Sequence, residues 1–328
     1  MKIIIDDKIP YIQGQAERLA DEVVYLPGKS IGPDEVRDAD ALVIRTRTQC
    51  NRQLLEGSKV RFIATATIGY DHLDTEYLHE AGIQWTNCPG CNATSVAQYV
   101  RNGLFEAEQQ GLVRLKDVTL GIIGYGHVGK AVCKALSPHV GSIILNDPPL
   151  KDKLGKLEEL GKLGELETLQ TSCNIITLHT PLTHSGPYPT YHLVDEAFIS
   201  RLKRGTILIN AARGGVVDES ALMQALDRGH IGAAIIDTWE GEPDINLQLL
   251  RKTFIGTPHI AGYSADGKAN ATRMALEALA QWMGRNEQFD IQPPEGPRDY
   301  NPMDDSERLK ENPSGFEYQR GHYPIRRE

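Results

Sequence analysis

The chain reads as an α/β protein of two doubly wound parallel-sheet domains followed by a short C-terminal extension, and three observations predict this. Short β-rich apolar runs alternate with longer stretches of helical periodicity along most of the sequence, the pattern of a parallel sheet with helices on both faces. The alternation starts afresh near Thr119 after a long bridging segment. A length of 328 residues also exceeds one average domain and suits about two.

In the first domain, strands are predicted at Lys2–Ile5, Val23–Tyr25, Ala41–Ile44, Phe62–Thr65 and Gln84–Thr86, with room for a crossover helix in each gap. Ala93–Gln110 is apolar at helical spacing and follows Asn92, an acceptable N-cap, so it is predicted to bridge the domains. The second sheet then takes Thr119–Ile123, Ser142–Asn146, Ile175–Leu178, Thr206–Asn210, Ala233–Asp237 and Phe254–Gly256. A helix over about 267–283 returns the chain to the first domain. The boundaries that follow are 1–92 and 259–285 for the first domain, 93–258 for the second and 286–328 for the extension. In those last 43 residues acids outnumber Lys and Arg by ten to six, and six of the eighteen prolines fall there. Composition favours a loosely ordered tail over an arm packed on another subunit.

A net charge of −9 argues against a nucleic-acid surface, which needs clustered positive charge. No stretch approaches the ~20 apolar residues that span a bilayer, so no membrane partner is expected. Five cysteines, an odd number scattered along the chain, suit a reducing compartment, and the expected location is the cytoplasm.

Gly124-Tyr125-Gly126-His127-Val128-Gly129 follows the strand Leu120-Gly121-Ile122-Ile123 and opens a helical pattern. Glycines there permit a tight turn whose N–H groups approach a pyrophosphate, with the helix N-terminus favouring its charge. The next strand ends in Asp147, at the spacing of about 20 residues where a carboxylate grips ribose hydroxyls. A carboxylate repels a 2′-phosphate, and Pro148-Pro149 follow it where an arginine would accept one, so NAD is expected over NADP; Lys151 is the nearby cation that opposes this.

Three successive strand ends of the second sheet carry further chemistry. Arg213 follows Asn210-Ala211-Ala212, where open α/β sheets place ligands, and its guanidinium suits a carboxylate and the oxygen beside it. Asp237-Thr238-Trp239-Glu240-Gly241-Glu242-Pro243 brings a carboxylate, and Thr257-Pro258-His259 an imidazole that takes or gives a proton near neutrality. A hydrogen bond from Glu242 would orient His259 and favour its charged form.

With these residues in view, the chain resembles the D-isomer-specific 2-hydroxyacid dehydrogenase family, whose catalytic arginine, glutamate and histidine match Arg213, Glu242 and His259 in order and motif. The match runs to about Arg285. It implies a Rossmann NAD-binding domain inserted into a flavodoxin-like substrate domain, and hydride transfer from C2 of a D-2-hydroxy acid to NAD. It also implies that Thr180, Ala211, Ala212, Arg213, Asp237 and Gly262 join Gly124, Gly126, His127, Val128, Gly129 and Asp147 around the cofactor. The segments 44–48, 64–72, 89–93, 186–193 and 259–263 resemble a branch that oxidises a four-carbon phosphorylated acid on the route to pyridoxal phosphate. Thr46, Thr67 and Tyr263 fall on its substrate contacts, and their hydroxyls suit a polyhydroxy acid; a threonine at a strand end also often serves only the nearby backbone. Arg45, with Arg47, is the expected phosphate site, together with Arg320, Arg326 or Arg327 reaching over from a neighbouring subunit. The family dimerises through a longer C-terminal domain, so a homodimer is implied even though about forty residues stand in its place here. A 3-phosphoglycerate-type enzyme and a non-catalytic NAD(H)-sensing protein are the alternatives.

Cys88-Pro89-Gly90-Cys91 lies between a strand and a helix, where a redox pair would be activated, but it coincides with the family's active-site loop. His179, His184 and His192 match no compact metal spacing, and no metal is expected.

Overall fold

The computed structural model describes residues 1–154 and 164–328. The chain divides into two compact units, one of Met1–Asn92, Ser264–Gly296 and Arg327, the other of Ala93–Tyr263, Pro297–Arg326 and Glu328.

The first unit holds a five-stranded sheet of β1 (Lys2–Asp6), β2 (Glu22–Leu26), β3 (Ala41–Ile44), β4 (Phe62–Thr65) and β5 (Gln84–Thr86), in the order β2-β1-β3-β4-β5. All its pairs are parallel, with Ile4 opposite both Val24 and Leu42. Ile3, Ile4 and Ile5 are buried because a parallel strand is covered on both faces, which is why it reads as a continuous apolar run. The helix Ala265–Trp282 covers β4, where Trp282 stacks on Phe62 at 5.3 Å between ring centroids. Ser264 caps this helix by accepting the N–H of Gly267 at 2.8 Å.

The second unit holds β6 (Thr119–Ile123), β7 (Ser142–Asn146), β8 (Ile175–Leu178), β9 (Thr206–Asn210), β10 (Ile231–Ile236) and β11 (Ile255–Gly256). Their order is β11-β10-β9-β8-β6-β7, again all parallel, so the winding reverses between β6 and β8. Ligands bind at such a switch point, beyond the carboxyl ends of the strands. The helix Ala93–Gln109 packs on His127–Leu136, and its buried Tyr99 shares a 2.9 Å hydrogen bond with Thr257. Asn92 does not act as its cap: its Oδ1 is buried and accepts no hydrogen bond among the described residues.

The extension is ordered, contrary to the tail that its composition suggests. Helices Pro302–Glu311 and Phe316–Gly321 form within it, and Leu309 and Phe316 are buried in the same apolar cluster as Ile245, Leu249 and Leu250. Ser306 accepts the N–H of Gly256 at 2.9 Å, tying the first of these helices to β11. Apolar anchors and contacts with the sheet edge thus overcome a strongly charged composition. Among the described residues no helix is long and apolar enough to cross a membrane.

Candidate active site

The turn after β6 is shaped by glycines for steric reasons. Gly124 adopts φ 90°, and a Cβ on it would stand 2.5 Å from the carbonyl oxygen of His179. A Cβ on Gly129 would stand 2.0 Å from the oxygen of Gly124, so no side chain is tolerated there. Gly126, by contrast, faces open space as the N-cap of the helix that His127, Val128 and Gly129 begin. Asp147 braces the turn: one carboxylate oxygen accepts the N–H of Tyr125 at 2.7 Å and the other that of Leu150 at 2.9 Å. Lys151 is paired with Glu165. Beside Gly124, Thr180 Oγ1 and His179 Nδ1 are buried without a partner among the described residues. Burial alone pushes His179 down to about 3, so its ring is neutral. A close backbone turn, an open helix N-terminus, a strand-end carboxylate and an unpartnered buried hydroxyl together fit a dinucleotide.

The three strand ends that follow meet in one place. Asn210, at the end of β9, shapes the first by donating from its amide to the Arg213 carbonyl at 2.9 Å and accepting from the Ala212 N–H at 3.1 Å. Arg213 spends one N–H on the carbonyl of Ala212 at 2.8 Å, leaving the rest of its five-donor fork. Gly214 lies so close to the next loop that a Cβ would stand 2.0 Å from the oxygen of Trp239. Asp237 follows β10 with its carboxylate tied to the next loop: it accepts from Thr257 Oγ1 at 2.7 Å, from Ile260 N at 2.7 Å and from Ala261 N at 3.0 Å. Burial raises its pKa, against the pull of His259 and these donors.

His259 sits in the turn so held, at φ 56°, a left-handed conformation that costs a non-glycine residue on the order of 1–3 kcal/mol. Its Nδ1 lies 2.8 Å from Glu242 Oε2, while Glu242 Oε1 accepts the N–H of Trp239 at 2.9 Å. Burial works to raise the Glu242 carboxyl, but the hydrogen bond and charge of His259, the Trp239 amide and Arg320 outweigh it and hold it below the ordinary value. Arg213, Glu242 and His259 line one cleft of about 450 Å³, with Leu182, Tyr191 and Trp239 on its walls.

Sequence reading missed a second tier around this cleft. Buried Glu219 accepts the N–H of Glu240 at 2.8 Å, and burial first, with Glu240, Glu242 and Asp218 adding to it, pushes its carboxyl up to about 7. Glu240 also meets His192 Nε2 at 2.5 Å, and His192 stacks on Tyr191. Tyr263 accepts a hydrogen bond from Arg320 Nε at 3.0 Å, and Gly262 between them and His259 is half-buried. The C-terminal arginines fold onto their own chain and do not form a free arm: Arg326 is buried and Arg327 pairs with Asp266 at 2.9 Å.

In the first unit, Arg45 donates to the carbonyl of Lys8 at 2.7 Å and Thr46 is exposed. Thr67 serves the local backbone, donating to Gly69 O at 2.8 Å, and lies 2.7 Å from the hydroxyl of Thr65. Cys88 and Cys91 are buried thiols that form no disulfide, and burial pushes the Cys88 thiol up to about 12, the opposite of redox activation. Among the described residues no His, Cys, Asp and Glu group could hold a metal.

A dinucleotide turn on one strand and an Arg, Glu and His brought together at three others define a nucleotide-dependent oxidoreductase. The model of the D-isomer specific 2-hydroxyacid dehydrogenase NAD-binding domain matches residues 91–261. The erythronate-4-phosphate dehydrogenase of Bacteroides fragilis is 50% identical over 343 residues, covering 100% of this chain and 97% of that one. Among solved structures, NAD-bound 3-phosphoglycerate dehydrogenase of Entamoeba histolytica has a TM-score of 0.72 at 25% identity, covering 88% of this chain and 98% of that one. D-lactate dehydrogenase of Aquifex aeolicus, with NAD and lactic acid, has a TM-score of 0.69 at 25% identity, covering 89% and 100%. The chain belongs to the D-isomer specific 2-hydroxyacid dehydrogenase family. It is an NAD-dependent dehydrogenase of hydroxy acids.

Proposed function

We propose that the chain oxidises C2 of 4-phospho-D-erythronate to the 2-oxo acid, as a step in pyridoxal 5′-phosphate biosynthesis, acting as a cytoplasmic homodimer. The observation that carries the chemistry is the Glu242–His259 pair lining one cleft with Arg213; the substrate is drawn from the name of the relatives that match the whole chain.

Glu242 holds Nδ1 of His259, so Nε2 is the nitrogen that takes the proton from the C2 hydroxyl as the carbon is oxidised. The Glu242 carboxylate stabilises the imidazolium that results. Arg213 grips the substrate carboxylate and stabilises negative charge on the C2 oxygen. NAD, when bound, supplies the hydride acceptor. The glycine turn and the helix beginning at His127 hold its pyrophosphate and Asp147 its ribose, while Thr180, Ala211, Ala212, Asp237 and Gly262 serve the nicotinamide end. Thr46, Thr67 and Tyr263 supply hydroxyls to the polyhydroxy chain, and Arg45 supplies positive charge for the phosphate.

Steady-state turnover of 4-phospho-D-erythronate against 3-phosphoglycerate, followed by NADH fluorescence, tests the reading. A higher kcat/KM for the four-carbon acid is expected. Equal or better turnover of the shorter acid would overturn the substrate, and NADH binding without oxidation of any hydroxy acid would favour a sensing role.

A further inference from the structure

We propose that Arg326 is a positioning residue for His259, holding the turn from Thr257 to Tyr263 in the geometry that lets the imidazole reach its proton. The inference rests on the proton-carrying role proposed for His259.

A residue at φ 56° stays there only if its surroundings over-determine the backbone. Asp237 supplies half of that restraint, and each of its bonds to the turn takes a donor: Thr257 Oγ1, Ile260 N and Ala261 N. Arg326 supplies the other half by engaging an acceptor. Its guanidinium donates to the carbonyl of Ala261 at 2.7 Å and to the hydroxyl of Ser95, which itself donates to the same carbonyl at 2.8 Å. Ala261, two residues beyond the imidazole, is therefore clamped through both of its backbone groups.

The setting of Arg326 argues that the clamp is its purpose. The side chain is 3% exposed, and burying a guanidinium is costly even when it is well satisfied. Here its charge rests on the faces of Tyr300 and Tyr323, with ring centroids 4.2 and 5.9 Å away, and its Nε has no partner among the described residues. Tyr323 is fixed in turn by donating to Asp305 Oδ2 at 2.7 Å. An apolar side chain of similar length would fill the space at less cost. What it would lack is the Nη2 donor that the planar guanidinium aims at a fixed carbonyl.

The test is Arg326→Met, which keeps the packing and removes the fork, beside Arg326→Lys, which restores one donor. Both are assayed for NADH affinity, kcat, KM and the pH–rate profile, with kcat scaled to the fraction of protein that binds NADH. Arg326→Met is expected to bind NADH within a few-fold of the wild type, because the pyrophosphate turn is untouched, to lose about 100-fold in kcat, and to move the profile; Arg326→Lys is expected to recover part of the loss. A scaled kcat within about twofold of wild type overturns the inference, as does a rise in KM for the phosphorylated acid at unchanged kcat, which would mark a direct anion contact. These outcomes require an active wild type. A wild type that oxidises no hydroxy acid overturns the role of His259 and this inference with it.

Discussion

Glu219 and Glu240 meet through the backbone: the Glu219 carboxylate accepts the Glu240 N–H at 2.8 Å, in a buried position with Glu242 close enough to repel it. Its carboxyl is pushed from an ordinary 4.5 up to about 7, so the folded protein keeps a proton that the unfolded chain releases. Below 4.5 both states are protonated and the group is neutral to stability. As pH rises through this window unfolding is increasingly favoured, and above 7 the full penalty of about 3 kcal/mol is present. Glu219→Gln keeps an acceptor for Glu240 and removes the charge. It should be more stable than wild type at pH 8 and little different at pH 4.5, as read by chemical denaturation. An equal difference at both pH values would contradict the shift.

His259→Ala should lose about 100- to 10,000-fold in kcat while binding NADH nearly normally, because the imidazole moves a proton and does not hold the dinucleotide. Surviving turnover would require another base. The same variant tests Glu242, whose lowered carboxyl adds stability that is fully present above its unfolded value and lost as pH falls through the folded one. Without His259, burial acts against fewer partners and the folded value rises, so acid unfolding followed by near-UV circular dichroism should begin at a higher pH than in wild type.

Asp147→Ser should weaken NAD by about tenfold and narrow its advantage over NADP, since a ribose acceptor and a charge that repels a 2′-phosphate are both lost. The serine hydroxyl retains one acceptor for Tyr125 or Leu150, so the turn should persist. Titrations with both cofactors at several salt concentrations separate the charge effect, which salt screens, from the hydrogen bond. An undiminished preference for NAD would place specificity elsewhere.

Arg45→Ala should raise KM for the phosphorylated acid by about tenfold and leave KM for unphosphorylated D-erythronate nearly unchanged. Among the described residues the bond to be lost is the one to the carbonyl of Lys8, so the melting temperature should move little. Equal effects on the two acids would remove Arg45 from the phosphate site.

The two sheets were legible because parallel strands buried on both faces write themselves as apolar runs, as Ala41–Ile44 and Thr206–Asn210 do. β10 was read late, from Ala233, because exposed Gly232 interrupts its run and the register shifts between Ile231 and Ala233. The extension was misjudged on composition, although Asn301 followed by Pro302 spelled a cap and a first helical residue. Arg213, Glu242 and His259 were found through their places at strand ends. Glu219 was not, because its state depends on Glu240 and Glu242, which only folding brings near. Arg326 was read as a phosphate ligand reaching over from a neighbouring subunit for the same reason: Ser95 and Ala261, which it actually meets, are distant in sequence.

The second unit joins Ala93–Tyr263 to Pro297–Arg326, so its interior is finished by residues made long after its sheet. During synthesis β6 through β11 and the glycine turn leave the ribosome first, while Leu309 and Phe316 are still to come. A nascent chain at that stage exposes the apolar surface that those two side chains later cover, and exposed apolar surface favours aggregation.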